Sequence, residues 1–301
     1  MAATHTSFRT ASGGIRRHLP PMLLFEKAKR HGIWNPADID FSQDKKDWEK
    51  LTEPQRDQLL RVTAQFISGE EAVTLDLLPL INVIASEGRV EEEMFLTTFL
   101  WEEAKHVDFF SRFLTEVVGD PGDLSRYHTA NYRKIICEAL PEALDALRDD
   151  HSAAALARAS AVYNMIVEGM LAETGYFGYF TIMDRHNILP GQREGIQKLK
   201  LDESRHIAYG VYLLSRLMSE EPGVWDVVEA TMNELLPYGM GLVEDIYTPY
   251  ETMPFNVTPD EFNAYALAQF TKRLDRIRRA RGMTLEEVNR ETNLIIEDND
   301  A

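Results

Sequence analysis

The sequence predicts an all-α fold in which a four-helix bundle core carries additional helices. Apolar residues recur at helical spacing through most of the chain, and sustained period-two alternation, the pattern of strands, is scarce. Short clusters of Gly, Pro, Asn and Asp separate the helical stretches, and no low-complexity linker divides the chain. We therefore expect one domain over residues 1–301.

The predicted elements follow one another with short breaks, such as "GDPGD" (119–123) and "NILPG" (187–191). Residues 1–50 look irregular and form an N-terminal segment, residues 51–250 a helical core, and residues 251–301 a C-terminal helix and tail. The periodicity predicts helices over roughly these ranges: 53–86, 90–118, 133–148, 152–186, 191–219, 224–246 and 259–281.

Composition argues against several classes of protein. The formal net charge of −17 is unsuited to nucleic-acid binding, which requires a basic surface. The single cysteine, Cys137, cannot form an internal disulfide and suits a reducing compartment. No stretch reads as a signal peptide, and none is long and apolar enough to span a membrane. We expect a cytoplasmic protein with no membrane span and no nucleic-acid partner.

The first core helix carries a carboxylate on its apolar face. Glu70 lies three or four residues from Phe66, Ile67, Val73 and Thr74, so its side chain points where theirs point. Burying a lone carboxylate is costly, and such a group needs a cation, a hydrogen-bond donor or a metal ion beside it.

Two of the eight histidines have a glutamate three residues before them. The pairs are Glu103 with His106 and Glu203 with His206, and apolar residues flank both pairs at helical intervals. Residues three apart share a helix face, so each carboxylate and imidazole can hold one metal ion together. A solvated helical ion pair is the alternative for either match taken alone.

An inward glutamate on an earlier helix precedes each pair: Glu70 the first, and Glu168 the second. The resulting order, Glu then Glu-x-x-His, occurs twice, as in ferritin-like di-metal carboxylate bundles. Four carboxylates and two imidazoles can hold two divalent ions, with two carboxylates bridging, and this donor set suits iron and manganese. A salt-bridged core is the alternative. The gap between His106 and Glu168 fits one long crossover connecting two helical hairpins.

At these residues the chain resembles the small, radical-generating subunit of class I ribonucleotide reductase and its relatives. The resemblance covers about residues 30–250 and includes "IWNPADIDFSQDKKDW" (33–48). It implies one metal site at Glu70, Glu103 and His106 and another at Glu168, Glu203 and His206, with Glu103 and Glu203 as candidate bridges. Asp202 matches the acid that orients a ligand histidine. Trp34 matches the tryptophan near the site, where a packing role is an equal alternative. Subunits of this kind form homodimers.

Two departures separate the chain from most reductase subunits. Phe110 stands four residues after His106, where those subunits carry the radical tyrosine, although some have Phe there and use a manganese/iron site. The last tyrosine is Tyr265, far from the C-terminus, where a reductase subunit carries a tyrosine for radical transfer. Radical delivery to a partner subunit is therefore not expected.

A closer resemblance is to the ligand-binding oxidases of the same superfamily, through "GEEAVT" (69–74) and "VYNMIVEG" (162–169). It implies manganese in the Glu70 site, iron in the Glu168 site and activation of dioxygen. It also implies an ether cross-link between Val73 and Tyr163, and a long-chain fatty acid whose carboxylate bridges the metals. Tyr176 is a further candidate for the site.

The cross-link also has a geometric argument. Val73 follows Glu70 by three residues on the same helix face. Tyr163 precedes Glu168 by five residues, about one and a half α-helical turns, on an adjacent part of its face. The two side chains would meet if the first and third core helices packed as neighbours. Two other functions stay open: a ribonucleotide reductase small subunit, and a non-enzymatic ferritin-like metal store or lipid carrier.

Overall fold

The computed structural model of the protein describes residues 6–298, so the end of the predicted tail, 299–301, lies outside the described residues. Within that range all regular secondary structure is helical, and the predicted all-α fold is confirmed. None of the helices in this part of the chain is both long and apolar enough to cross a membrane.

Fourteen α-helices are described, together with short helices of other types. The α-helices are α1 (Arg9–Gly13), α2 (Pro20–His31), α3 (Ser42–Lys50), α4 (Glu53–Asp76), α5 (Leu78–Ser86), α6 (Val90–Phe113), α7 (Ala130–Tyr132), α8 (Leu140–Asp145), α9 (Ala153–Ser160), α10 (Glu173–His186), α11 (Pro190–Glu220), α12 (Val224–Tyr247), α13 (Pro259–Arg279) and α14 (Leu285–Asp298). Three π-helical stretches are Leu114–Val118, Arg133–Ala139 and Ala161–Ala172, and three 3₁₀-helices are Pro36–Asp38, Leu124–Tyr127 and Ala146–Arg148.

Four long helices form the bundle core. They are α4, α6, α11 and a third helix in which α9, the π-helical stretch Ala161–Ala172 (hereafter the π-segment) and α10 run on without a break. Helix α4 packs mainly on α6, and the π-segment packs on α11, α12 and α13. The chain between α6 and α9 is the long crossover, and α2 and α14 cover α11 and each other. The predicted bundle with additional helices is therefore confirmed.

Local sequence signals position the helices that carry the site. A capping box between Thr52 and Gln55 starts α4. Asp44 on α3 accepts hydrogen bonds from the backbone N–H groups of Gly191 and Gln192, at 2.8 and 2.7 Å, and so caps the start of α11. Residue 191 must be glycine there, because a Cβ would lie 2.6 Å from the Asp40 carbonyl oxygen. These contacts fix α11 against the N-terminal segment.

The structure corrects three boundaries. Residues 1–50, predicted to be irregular, contain α1, α2 and α3. The buried face of α3 includes Asp44 and Asp47 beside Trp48, so it lacks the apolar periodicity that marks a helix in sequence. The predicted helix 53–86 divides at Leu77, before Pro79 in the first turn of α5. Helix α14 was expected only as tail.

Candidate metal centre

All six predicted ligand residues converge in the bundle core. Helix α4 contributes Glu70, α6 contributes Glu103 and His106, the π-segment contributes Glu168, and α11 contributes Glu203 and His206. Each side chain is at least nine-tenths buried. They form two groups whose ligand atoms lie within 4.8 Å of one another: Glu70, Glu103, His106 and Glu203 in one group, and Glu103, Glu168, Glu203 and His206 in the other.

Glu103 and Glu203 belong to both groups, and each spreads its two oxygens between them. Glu103 places Oε2 3.4 Å from Nδ1 of His106 and Oε1 3.2 Å from Nδ1 of His206. Glu203 places Oε1 3.4 Å from His106 Nδ1 and Oε2 3.6 Å from His206 Nδ1. This is the arrangement that two bridging carboxylates require. Glu70 and Glu168 each lie beside one histidine only, at 3.4 and 3.6 Å.

Each histidine is oriented by an acid that binds its other ring nitrogen. Nε2 of His106 lies 3.3 Å from Asp202, as the resemblance implied, and Nε2 of His206 lies 2.9 Å from Glu102. Arg205 joins the two acids through hydrogen bonds to both of them. Such bonds set the tautomer that leaves Nδ1 free as a ligand. The sequence prediction missed Glu102, although Glu102 precedes Glu103 as Asp202 precedes Glu203.

The pKa values of the cluster's histidines and glutamates are shifted, because these groups are buried close to one another. Burial lowers the pKa of His106 and His206, but the neighbouring carboxylates outweigh it and raise the pKa of both well above the usual value. Burial raises the pKa of Glu70 to about 8. It also raises the pKa of Glu168 well above the usual value. For Glu103, the closeness of both histidines outweighs burial and holds the pKa below its usual range.

The donor atoms that face the centre of the cluster fit a pair of metal ions. Five of them are buried and have no hydrogen-bond partner: Glu103 Oε2, His106 Nδ1, Glu168 Oε1, Glu203 Oε2 and His206 Nδ1. Unpaired buried polar atoms cost free energy, which coordination to a cation would remove. Carboxylate oxygens with one imidazole per group suit manganese and iron. The two groups are therefore suited to a dinuclear metal site.

The π-segment changes the predicted relation between Tyr163 and Glu168. In an α-helix, a separation of five residues would turn Tyr163 about 140° away from Glu168. The predicted adjacent position on the helix face was therefore wrong for an α-helix. In a π-helix the hydrogen bonds run from i to i+5, and residues five apart fall on nearly the same side. Tyr163 is fully buried and donates a hydrogen bond to Glu103 Oε1 at 2.9 Å.

An apolar cavity adjoins the cluster and opens towards the surface, with about 820 Å³ of empty space when the solvent at its mouth is included. It lies between α4, the crossover, the π-segment and α12. Its inner end is formed by four glutamates, Glu70, Glu103, Glu168 and Glu203. Its walls are mainly aliphatic and aromatic, and Val73 is among them. Tyr163 does not line this cavity. Helix α4 contacts the third helix in its α10 part, where Thr63 and Tyr179 share a hydrogen bond.

The remaining predicted residues occupy distinct places. Trp34 donates from Nε1 to Asp202 at 2.8 Å and so joins the bonds around His106. Phe110 is buried and stacks on Phe66, 5.2 Å between ring centroids. Tyr176 stacks on the other side of Phe66 at 5.1 Å, and its buried hydroxyl has no hydrogen-bond partner. Tyr265 lies on α13 and donates to Glu173, outside the ligand groups.

Comparison with known proteins identifies the family. A family model described as ribonucleotide reductase, small chain, matches residues 20–278. A solved structure of an R2-like ligand-binding oxidase with aerobically reconstituted Mn/Fe cofactor (long soak) is 41% identical; the match covers 91% of this chain and 98% of that chain, with a TM-score of 0.87.

Two further solved structures of R2-like ligand-binding oxidase give the same result. One, with aerobically reconstituted metal cofactor after photoconversion, is 41% identical over 91% of this chain and 99% of that chain, with a TM-score of 0.87. The other, a mutant with anaerobically reconstituted Mn/Fe cofactor, is 42% identical. The match covers 91% of this chain and 98% of that chain, with a TM-score of 0.86. With its buried cluster of four glutamates and two histidines and this similarity along nearly its whole length, the chain belongs to the ribonucleotide reductase small-chain family, in the group of the R2-like ligand-binding oxidases.

Proposed function

We propose that the protein is a dioxygen-activating oxidase with a dinuclear manganese/iron site. The observation that carries the proposal is the pair of buried ligand groups joined by Glu103 and Glu203 at the end of an apolar cavity. Similar proteins carry a Mn/Fe cofactor in the same fold. Manganese would occupy the site of Glu70, Glu103 and His106, and iron the site of Glu168, Glu203 and His206.

The first reaction of this site would join the Val73 β-carbon to the Tyr163 oxygen as an ether. When bound, the reduced metal pair would supply two of the four electrons that convert dioxygen to water, and the other two would leave with the Val73 Cβ hydrogen and the Tyr163 hydroxyl hydrogen. Burial, with Glu103 and Glu168 nearby, raises the pKa of Tyr163 well above its usual value, so its hydroxyl keeps its proton. Glu103 accepts a hydrogen bond from that hydroxyl at 2.9 Å and so orients it.

The cavity would hold a long-chain fatty acid with its carboxylate at the metal pair. Its walls are apolar and include Phe66, Val73, Ile136 and Leu242, which suit an alkyl chain. Burying an alkyl chain there removes apolar surface of both partners from water. A carboxylate headgroup at the inner end would rely on the positive charge of the metals, since no basic side chain is among the described residues of the lining.

A ribonucleotide reductase small subunit is the second candidate, because the matching family model describes such chains. Two residues disfavour it. Phe110 has no oxidisable hydroxyl at the position of the usual radical tyrosine. Tyr265 lies within α13 and donates to Glu173, so its hydroxyl is engaged in the helical body of the protein.

We further propose that the chain acts as a single domain over residues 1–301, with its metal-binding core in 51–250, and that it forms a homodimer in the cytoplasm. The exposed thiol of Cys137 supports a reducing compartment. Sedimentation equilibrium should then give twice the chain mass of 34.4 kDa. A monomer, or a large shell of the storage type, would contradict the dimer.

Peptide mapping tests the oxidase function. Protein loaded with Mn and Fe without oxygen, then exposed to air, should yield a joined pair of peptides containing Val73 and Tyr163, lighter than their sum by two hydrogens. Tyr163→Phe should abolish the product and keep both metals, because the phenol is outside the six-residue ligand set. Separate peptides from wild-type protein with confirmed Mn and Fe occupancy would contradict the proposal.

A further inference from the structure

Glu168 is bound by an amide that the proposed chemistry does not use. Asn164 lies four residues before Glu168 in the π-segment and is 1% exposed. Its Nδ2 donates to Glu168 Oε2 at 2.9 Å, and its Oδ1 accepts from the Ser160 hydroxyl at 2.9 Å. Ser160, Asn164 and Glu168 therefore form a buried chain of hydrogen bonds along one side of the third helix.

The direction of this chain is set by the donors that are present. A serine hydroxyl has one proton, and Ser160 gives it to the carbonyl oxygen of the amide. The amide nitrogen must then face Glu168. When Glu168 is ionised, as a metal ligand must be, the reversed amide would place its carbonyl oxygen against a carboxylate that has no proton to share, so that orientation is strongly disfavoured.

Packing prevents the Asn164 side chain from moving aside. Gly210 on α11, one turn after His206, lies directly against it, and a Cβ at Gly210 would be 2.2 Å from the Asn164 Cβ. Glycine at this position lets the amide fill the space between the third helix and α11. A side chain confined in this way loses little further freedom when it holds its neighbour in place.

The hydrogen bond divides the two oxygens of Glu168 into different roles. Oε2 is engaged by Asn164, whereas Oε1 lies 3.6 Å from His206 Nδ1 and has no hydrogen-bond partner. Glu70, the corresponding residue of the other ligand group, lies 3.4 Å from its histidine and has no side-chain amide donor among the bonds of the described chain. The two ligand groups have the same residue types, and this amide is a difference between them in the bonding of a carboxylate.

We propose that Asn164 is a positioning residue that restricts Glu168 to one metal-binding oxygen and so makes the Glu168 site differ from the Glu70 site. The inference rests on the proposed dinuclear site. A carboxylate that can turn freely binds a metal through one or both oxygens, whereas Glu168 keeps Oε2 on the amide. The Glu168 site thereby has a fixed and smaller set of oxygen donors, which is a basis for discriminating between two divalent metals of similar chemistry.

Anomalous diffraction at the manganese and iron edges tests the proposal on crystals loaded with equal Mn and Fe without oxygen. Wild-type protein should show Glu168 bound through one oxygen. In Asn164→Leu, which keeps the volume and removes the donor, Glu168 should turn and bind through both oxygens. Competition titration should show the metal affinity of the Glu168 site changed by about 10-fold or more, with that of the Glu70 site unchanged within error.

Ser160→Ala is the second variant, since it leaves Asn164 in place and removes only the proton that orients the amide. It should also change the binding mode of Glu168 and the metal affinity of its site, in the same direction as Asn164→Leu but to a smaller extent. It keeps the test usable if Asn164→Leu fails to fold. The matched control is Asn131→Leu. It removes a side-chain amide of the crossover that donates to Asp245 on α12, and it should behave as wild type.

The outcomes separate the two proposals. If wild-type protein holds two ions but both variants keep the one-oxygen contact and unchanged affinities, the role of Asn164 is overturned and the dinuclear site stands. If wild-type protein fails to hold two ions at the six residues, the dinuclear site is overturned and the role of Asn164 falls with it.

Discussion

His106 and His206 each have one ring nitrogen bound to an acid and the other facing the ligand cluster. For His206 the acid is Glu102. Its Oε2 is hydrogen-bonded to the imidazole, and its Oε1 accepts a hydrogen bond from Arg205. Glu102→Gln leaves a single acceptor oxygen for these two donors, so one bond is lost. We expect metal affinity at the His206 site to fall by about 10–100-fold, measured by competition with a chelator. Glu138→Gln, at an exposed ion pair, is the control, and equal affinities in both variants would contradict the role of Glu102.

Glu70 makes metal binding depend on pH. Its pKa of about 8 means that the carboxyl is mostly protonated at pH 7 when no cation is present. A metal ion must displace that proton, so affinity should rise as pH increases from 6 to 8, with proton release. Calorimetry in two buffers of different ionisation enthalpy measures the release. Glu70→Gln, which has no such proton, should show a weaker pH dependence, and a wild-type affinity independent of pH would contradict this expectation.

At the level of helices, the N-terminal segment is attached to the start of α6 through Glu91. Arg9 and Arg16 donate to this buried carboxylate at 2.5 and 2.9 Å. Burial acts to raise the pKa of Glu91, but these bonds outweigh it and lower the pKa to about 2. A carboxyl whose folded pKa lies below its unfolded value stabilises the fold above the unfolded value, and that stability is lost as pH falls through the folded value.

Glu91→Gln should therefore destabilise the protein at pH 7 and have a smaller effect at pH 3. The pKa difference corresponds to about 3 kcal/mol, which we reduce to about 1–2 kcal/mol because the two arginines are 40% and 47% exposed. Urea unfolding of wild type and variant at both pH values measures it. The same loss at pH 3 as at pH 7 would show that the effect is not electrostatic.

Helices that bury an apolar face could be predicted from the sequence. Helices that are held by buried polar contacts, or that have π-helical hydrogen bonds, could not. The ranges 90–118, 191–219 and 224–246 match the structure closely, because each helix buries an apolar stripe. Helix α3 was missed because it buries aspartates that cap α11. The π-segment was also missed, since its hydrogen-bond repeat alters side-chain direction without altering composition. For that reason the sequence did not show that Tyr163 and Glu168 lie on nearly the same side of the third helix.

That the six residues lie together could be predicted, because the order Glu then Glu-x-x-His occurs twice on inward helix faces. The groups that orient these residues were harder to predict. Asp202 followed from the family resemblance, whereas Glu102 and Asn164 depend on which helices meet in the core. No local pattern marks Asn164, whose role requires Gly210 from a distant helix beside it.

For the whole molecule, metal and fatty-acid binding should be linked. No basic side chain is among the described residues that line the cavity, so two divalent ions at its inner end would supply the positive charge that binds a carboxylate headgroup. A long-chain fatty acid should therefore bind tightly to metal-loaded protein and much more weakly after the metals are removed. A fatty alcohol of the same length, which has no charge, is the matched control and should depend far less on metal. Equilibrium dialysis with both ligands measures this, and equal fatty-acid affinity in the two states would contradict the linkage.

Metal content, determined together with anomalous diffraction, tests the dinuclear site most directly. Protein reconstituted with Mn and Fe in air should contain two ions per chain, both within the cluster of Glu70, Glu103, His106, Glu168, Glu203 and His206. Glu103→Ala or Glu203→Ala should reduce the content at both positions, because each side chain spreads its oxygens over the two ligand groups. Two tightly bound ions in both variants, or anomalous density elsewhere in wild type, would contradict it.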